Sequence, residues 1–258
     1  MTNVMQSTDN LLALSFDIDW APDFVIDEVA QVLVSSSVKA TWFVTHASPA
    51  VYRLAKRPDL FELGIHPNFL PGSDHGRTPA EVLAFFNKII PSAVSVRTHA
   101  LVQSGPIFDE ILTHTKVTVD SSLFLPRMPA IRPVPYWRRG TRTLWRLPIF
   151  WSDIAETEME APDWTLESLL STGPGLKVLD FHPIHVYLNS TDGQSYAQFK
   201  RKVGRLVTAT QAVASQYRHH GNGVGALFNR VVDHLASAGH SLRLCDLMPS
   251  KMGRTSER

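Results

Sequence analysis

Short apolar runs of strand length alternate with helical patterns along almost the whole chain. That alternation constrains the fold more than any other feature. Leu11–Phe16, Ala40–Thr45, Phe61–Ile65, Val94–Arg97, Val117–Val119, Thr143–Phe150 and Lys177–Phe181 read as strands, with Pro148 interrupting the sixth. Between them, Pro22-Asp23 opens a segment with Phe24, Val25, Val29, Val32 and Leu33 at helical spacing. Thr78-Pro79 starts a second helix by N-cap and first-turn proline, running to about Ile90. Ala197 to about Gln216 and Gly225 to Ala238 also read as helices, and Leu242–Leu244 as a last short strand. Strands alternating with helices predict an α/β fold with a mainly parallel sheet. About seven such units in 258 residues predict one distorted (β/α) barrel over residues 11–248 rather than two domains. Residues 1–10 and 249–258 read as loose tails.

Composition removes several classes. Hydrophobic residues are 44% and charged residues 19%, a globular balance with enough apolar mass for a core. A net charge of +1, from 25 basic and 24 acidic residues, argues against a nucleic-acid-binding protein. The single cysteine, Cys245, excludes an intramolecular disulfide and a cysteine-based zinc finger. No apolar run is long enough to span a membrane. Met1–Asn10 has neither a basic nor an apolar signal region, so a cytoplasmic protein is expected.

Chemistry gathers where the strands end. Strand one ends in Asp17-Ile18-Asp19, strand three in His66-Pro67-Asn68, strand four in Arg97-Thr98-His99 and strand five in Asp120. Strand seven ends in His182-Pro183-Ile184-His185. A closed sheet brings such ends together. Asp17 and Asp19 share a face in extended chain, where two close carboxylates repel unless a cation lies between them. Alternatively, one caps the next helix and the other is solvated. Any one histidine alone is most simply structural, and His114, His219, His220, His234 and His240 read so. The set reads as a site. Carboxylate and imidazole donors without thiolates suit one divalent metal ion, zinc or another first-row metal. One carboxylate and two imidazoles leave room for a water, whose proton a neighbouring carboxylate can take. A histidine then protonates the leaving atom, the logic of amide or ester hydrolysis.

These residues resemble a known family. Ser15-Phe16-Asp17-Ile18-Asp19 is similar to the first motif of the polysaccharide deacetylases, the NodB-homology carbohydrate esterases. Lys39–Val44 and Glu62–His66 are similar to their second and third strands. Ser95–His99 and Leu179–Pro183 fall where that family has its arginine and final histidine motifs. His66–Leu70 and Asp180–Tyr187 look most like the WbmS-like branch, found in O-antigen and capsule gene clusters. The resemblance implies Asp17 as general base, Arg97 as the group that keeps it ionised and His182 as general acid. It implies Asp19 and His66 as metal ligands. The family's second histidine follows the first by four residues, where this chain has Leu70. His75 is the first choice for that ligand, then His99, then His185. Asn68, His99 and His185 are the expected substrate contacts.

The expected substrate is an acetylated sugar, nucleotide-linked, lipid-linked or oligosaccharide. Two alternatives remain. One is a metal-dependent glycosyltransferase using Asp17-Ile18-Asp19, though no glycine-rich phosphate loop precedes that motif. The other is a non-catalytic saccharide-binding relative. Arg127, Arg132, Arg138, Arg139, Arg142 and Arg146, interleaved with Tyr136, Trp137 and Trp145, read as a loop that grips phosphate and sugar. The same stretch also fits a solvated surface or a partner interface.

Overall fold

The computed structural model describes residues 11–248, and the expected tails lie outside them. The first half runs β1 (Leu11–Asp17), α1 (Asp23–Ser35), β2 (Ala40–Val44), α2 (Pro49–Ala55), β3 (Phe61–Ile65) and α3 (Pro79–Ile89). It continues with β4 (Ser95–Val96), α4 (Gly105–His114), β5 (Val119–Asp120), β6 (Val134–Arg139), β7 (Arg142–Arg146) and β8 (Ile149–Ser152). Then come α5 (Asp153–Thr157), α6 (Leu166–Leu170), β9 (Leu176–Phe181), α7 (Pro183–Leu188), α8 (Gly193–Val203), α9 (Gln211–Ala214) and α10 (Val224–Ala238).

The strands form one sheet in the order β6-β7-β5-β4-β3-β2-β1-β9-β8. All its pairings are parallel except β6 with β7. β7 is second from one end of that order and β8 is the other end, yet only Leu147 and Pro148 separate them. Two residues span at most about 7 Å, so the sheet must curl until its ends meet. Backbone bonds make the seam. Trp145 and Leu147 N–H donate to Thr118 and Asp120, and Ile149 N–H to Leu123, while Leu125 and Arg127 N–H return to Ile149 and Phe150. One extended segment therefore runs beside residues 118–127 and changes its outer partner at Pro148, which has no N–H to donate. β6 is that partner before the proline and β9 after it. Joining β7 to β8 and setting aside β6 leaves seven parallel staves in a distorted (β/α) barrel.

Alternation along β1 sorts the two faces. Phe16 points outward, stacks on Trp42 at 4.3 Å and meets Phe228 of α10 edge to face. Ser15 and Asp17 point inward, opposite Thr41 and Phe43 of β2. Burial on both faces explains why the strands read as continuous apolar runs. The barrel floor is polar: Glu62 accepts from Thr41 Oγ1 (2.8 Å), from Ser95 Oγ and from the backbone N–H of Cys245 (2.9 Å).

Four expectations change. Leu242–Leu244 is not a strand; the chain makes a 3-10 turn over Leu244–Leu247 that plugs the barrel floor. The helix expected over Ala197–Gln216 breaks at Gly204, whose φ of 69° ends α8. Helices α2 and α4 were not expected, although Ser48 and Ser104 cap them just ahead of Pro49 and Pro106. The arginine-rich loop is the β6–β7 hairpin, turned at Gly140-Thr141.

Candidate active site

The C-terminal ends of β1, β3, β4, β8 and β9 converge on one buried charged cluster. Arg97 is its centre and is fully buried. Its Nη1 donates to Asp17 Oδ1 (2.9 Å) and Asp180 Oδ1 (2.6 Å). Its Nη2 donates to Ser15 Oγ (2.8 Å) and Ser121 Oγ (3.0 Å), and Nε to the Ser121 carbonyl (3.2 Å). The guanidinium lies 4.4 Å over the Phe43 ring. Every donor direction is thus used, which a buried guanidinium requires. Burial raises the Asp180 carboxyl to about 7, against the pull of Arg97, with Asp17 adding repulsion.

Beside this cluster, Asp19, His66 and His99 each bring one donor atom, all within 4.8 Å of one another. Asp19 Oδ1 lies 3.2 Å from His66 Nε2 and 3.1 Å from His99 Nδ1, and the two ring nitrogens are 3.4 Å apart. Four-coordinate zinc with bonds of about 2.0–2.1 Å sets its ligand atoms about 3.3–3.4 Å apart. The triangle has nearly that edge, so these residues fit a divalent ion. Their electrostatics agree. Burial alone would lower His66, yet Asp17 and Asp19 outweigh it and hold its pKa up. Burial alone would raise Asp19, yet hydrogen bonds from His66 and His99 hold it well below the usual carboxylate range. The cradle favours positive charge at its centre. The turns that aim these donors carry positive φ at Asp19, Trp20, Ala100 and Leu101, a costly conformation held by the surrounding contacts.

His75 stands outside that triangle. Its Nδ1 accepts the backbone N–H of Asn68 (3.1 Å), and its ring stacks on Trp20 and Phe85. Burial drops its pKa to about 4, so it is a neutral strut for the loop after β3. Asn68 caps the same loop by accepting from Leu70 N–H (3.0 Å). His185 is buried against Tyr196, its Nδ1 is 3.0 Å from Ser190 Oγ, and burial drops it to about 4 as well.

His182 is the reverse case. Asp153 Oδ2 accepts its backbone N–H (2.6 Å) and Asp153 Oδ1 its Nδ1–H (2.8 Å). Burial would lower His182, but Asp153, Asp180 and Asp19 raise it well above the usual histidine value. Its Nε2 points into the site, 3.7 Å from Asp19 Oδ2. The sequence reading missed Asp153. Its one available signal was that strand Ile149–Trp151 also ends on a carboxylate, in Ser152-Asp153.

The arginine-rich segment does other work. Arg146 donates to buried Asp120 (2.6 Å), Arg127 pairs with Glu156 (2.9 Å), and Arg142 caps the Leu112 and Val117 carbonyls. The hairpin tip lies at the end of β7 away from the site.

The model of the WbmS-like polysaccharide deacetylases matches residues 14–200. The chain belongs to that family. A crystal structure from Bordetella bronchiseptica, described as a polysaccharide deacetylase (WbmS) involved in O-antigen biosynthesis, is 32% identical. It superposes with a TM-score of 0.74 over 86% of this chain and 90% of that one. Two weaker overlaps are the Bc1960 peptidoglycan N-acetylglucosamine deacetylase (13% identity, TM-score 0.45, 96% and 90% covered) and a Clostridium thermocellum family 4 acetyl xylan esterase solved with a cobalt ion (15%, 0.42, 92% and 90%). No curated protein matches the chain. As a WbmS-like polysaccharide deacetylase it is a hydrolase of amide bonds. No helix among the described residues is long and apolar enough to cross a membrane.

Proposed function

We propose that this WbmS-like protein is a divalent-metal-dependent N-deacetylase of an acetamido sugar in bacterial surface-polysaccharide assembly. The observation that carries this reading is the pairing of the Asp19–His66–His99 triangle with protonated His182 across from Asp17. Asp19, His66 and His99 would hold the ion, which supplies Lewis-acid polarisation of the acetyl carbonyl and acidification of water. Asp17 keeps Oδ1 on Arg97 and leaves Oδ2 toward His66, at 3.7 Å, as the base that takes the water's proton. Arg97 keeps that base ionised and fixed. His182, protonated by the field of Asp153, donates from Nε2 to the departing amine. His99 in the triangle answers the absence of a histidine at Leu70, the feature of the chain that favours a non-catalytic relative. Asp17, bound to Arg97, leaves Asp19 as the single carboxylate at the triangle, which weighs against an Asp-x-Asp diphosphate clamp.

The test combines metal analysis with acetate release. Purified protein is expected to hold close to one zinc or comparable ion per chain. His99→Ala should lose it, and His75→Ala should keep it. Asp17→Asn should keep the ion and lose at least a hundredfold in acetate release, the general-base contribution. Metal loss on His75→Ala alone, or an active Asp17→Asn, would overturn these roles.

A further inference from the structure

We propose that Tyr196 and Lys200 of α8 form a subsite for a phosphoester on the sugar, so that the substrate is a sugar phosphate rather than a neutral glycan. This rests on the deacetylase reading and names the substrate class of the same site.

A continuous line of side chains leads from the catalytic end to α8. The His182 and His185 rings meet edge to face at 5.9 Å, His185 lies 4.2 Å from Tyr196, and Lys200 Nζ sits 6.0 Å over the Tyr196 ring. Tyr196 and Lys200 are one helical turn apart and share a face. Phe199, whose ring lies 6.4 Å from Tyr196, is fully buried and anchors the helix. Neither polar end is spent internally. Among the described residues the Tyr196 hydroxyl makes no hydrogen bond and the exposed Lys200 ammonium pairs with no carboxylate. Burial, with the charges of Asp19 and Asp153, pushes the Tyr196 hydroxyl up to about 12, so it stays a donor. Lys200 is near enough to help keep His185 neutral.

Charge gives the ligand class. Asp17, Asp19, Asp153 and Asp180 outnumber the buried cations Arg97 and His182, both of which are paired with them, so an anionic substituent outside the reacting centre needs its own cation at the mouth. Residues 193–206 supply Lys200, Arg201, Lys202 and Arg205 with no acid among them. Arg205 leans toward Asp74 (3.7 Å), and Lys200 shares the Tyr196 face. A lysine serves phosphate as a point-charge partner, without the fixed fork geometry of an arginine. Of the arginines first read as the phosphate grip, Arg127, Arg142 and Arg146 are bound to Glu156, backbone carbonyls and Asp120, and Arg138 and Arg139 lie on the hairpin that points away from the site. α8 takes over that role beside the chemistry.

The test measures equilibrium binding and acetate release separately on the full chain. The probes are UDP-N-acetylglucosamine, farnesyl diphosphate N-acetylglucosamine and neutral benzyl N-acetylglucosaminide. The wild type should bind a phosphorylated probe at least tenfold more tightly than the neutral one. Lys200→Met should cut that preference about tenfold and Tyr196→Phe about threefold. Lys200→Arg should keep most of it, and Lys88→Met, on distant α3, should leave it unchanged. A preference for either carrier supports the subsite and identifies the source of the phosphoester. Equal binding of phosphorylated and neutral probes by the wild type, or an unaltered preference in Lys200→Met, overturns the subsite even if acetate is released. Phosphoester binding that depends on Lys200 without acetate release from any probe would leave the subsite standing and overturn the deacetylase reading.

Discussion

Two histidines within one site have opposite protonation for physical reasons that single residues supply. His75 is neutral because burial acts on it with little compensation. His182 is protonated because burial is outweighed by Asp153, which grips both its ring and its backbone. Asp153→Asn keeps one of the two acceptors and removes the charge, so burial is then opposed by Asp180 and Asp19 alone. A general acid works only while protonated, and its rate falls as pH rises through its pKa. With His182 as the proposed general acid, the wild-type alkaline limb of kcat/KM is expected well above the usual histidine value, and in Asp153→Asn it should move down by roughly one to three pH units. Stability follows the same sign. A histidine whose pKa is raised on folding stabilises fully below its unfolded value and loses that contribution as pH rises through the folded value. The stability cost of Asp153→Asn should therefore be larger at pH 5.5 than at pH 9. An unmoved alkaline limb would mean that another group titrates there. Asp17, Asp19, His66, Arg97 and His182 were legible as candidates because each ends a strand or follows one closely. The third member of the triangle was not, because His75 and His99 differ only in where two loops fold back. Asp153 was missed because no local spacing ties it to His182, which is 29 residues further on.

Elements set how closely these residues approach. Strand signals survived translation into structure well, since apolar runs between helices have few other uses. Helices α2 and α4 carry the same kind of hydroxyl cap and early proline as α3, with Ser48 and Ser104 in place of Thr78, but at 7 and 10 residues they give only about two to three turns of apolar period to read. β6 was read as loop because Pro133 and Pro135 interrupt it, yet an edge strand tolerates proline. The interior of β3 shows how tight the element packing is. A Cβ on Gly64 would come within 2.8 Å of the Phe43 ring and 2.9 Å of the Ser95 carbonyl. Phe43 is the shelf under Arg97. Gly64→Ala must displace that ring from its place under the guanidinium, an overpacking cost of about 1–3 kcal/mol. Thermal unfolding should show a lowered Tm, and acetate release measured well below that Tm should still fall, because Arg97 no longer meets Asp17 squarely. A variant with wild-type Tm and activity would show that the β3–β2 contact has slack.

At the scale of the molecule, barrel closure and the site depend on the same buried pair. Arg146, the last residue of β7, sits just before the seam at Pro148 and donates to Asp120 at the end of β5 (2.6 Å), with its guanidinium stacked 3.6 Å from the Tyr136 ring. The other Asp120 oxygen accepts Ser122 N–H (3.1 Å), and Ser122 Oγ accepts Thr98 N–H (2.9 Å), the residue before His99. One carboxylate thus ties the closing stave to the loop that aims the third donor. Removing the arginine leaves that carboxylate buried and unpaired, which costs about 3–5 kcal/mol, more than the pair itself contributes. Arg146→Met should lower the urea midpoint accordingly, with the slope of the transition unchanged. Adding Asp120→Asn removes the stranded charge and should recover most of the loss, since an amide can still accept the Ser122 N–H. If the double variant were no more stable than Arg146→Met, the cost would come from lost packing of the guanidinium on Tyr136 and Phe108, and closure would rest on that stack instead of the charge pair.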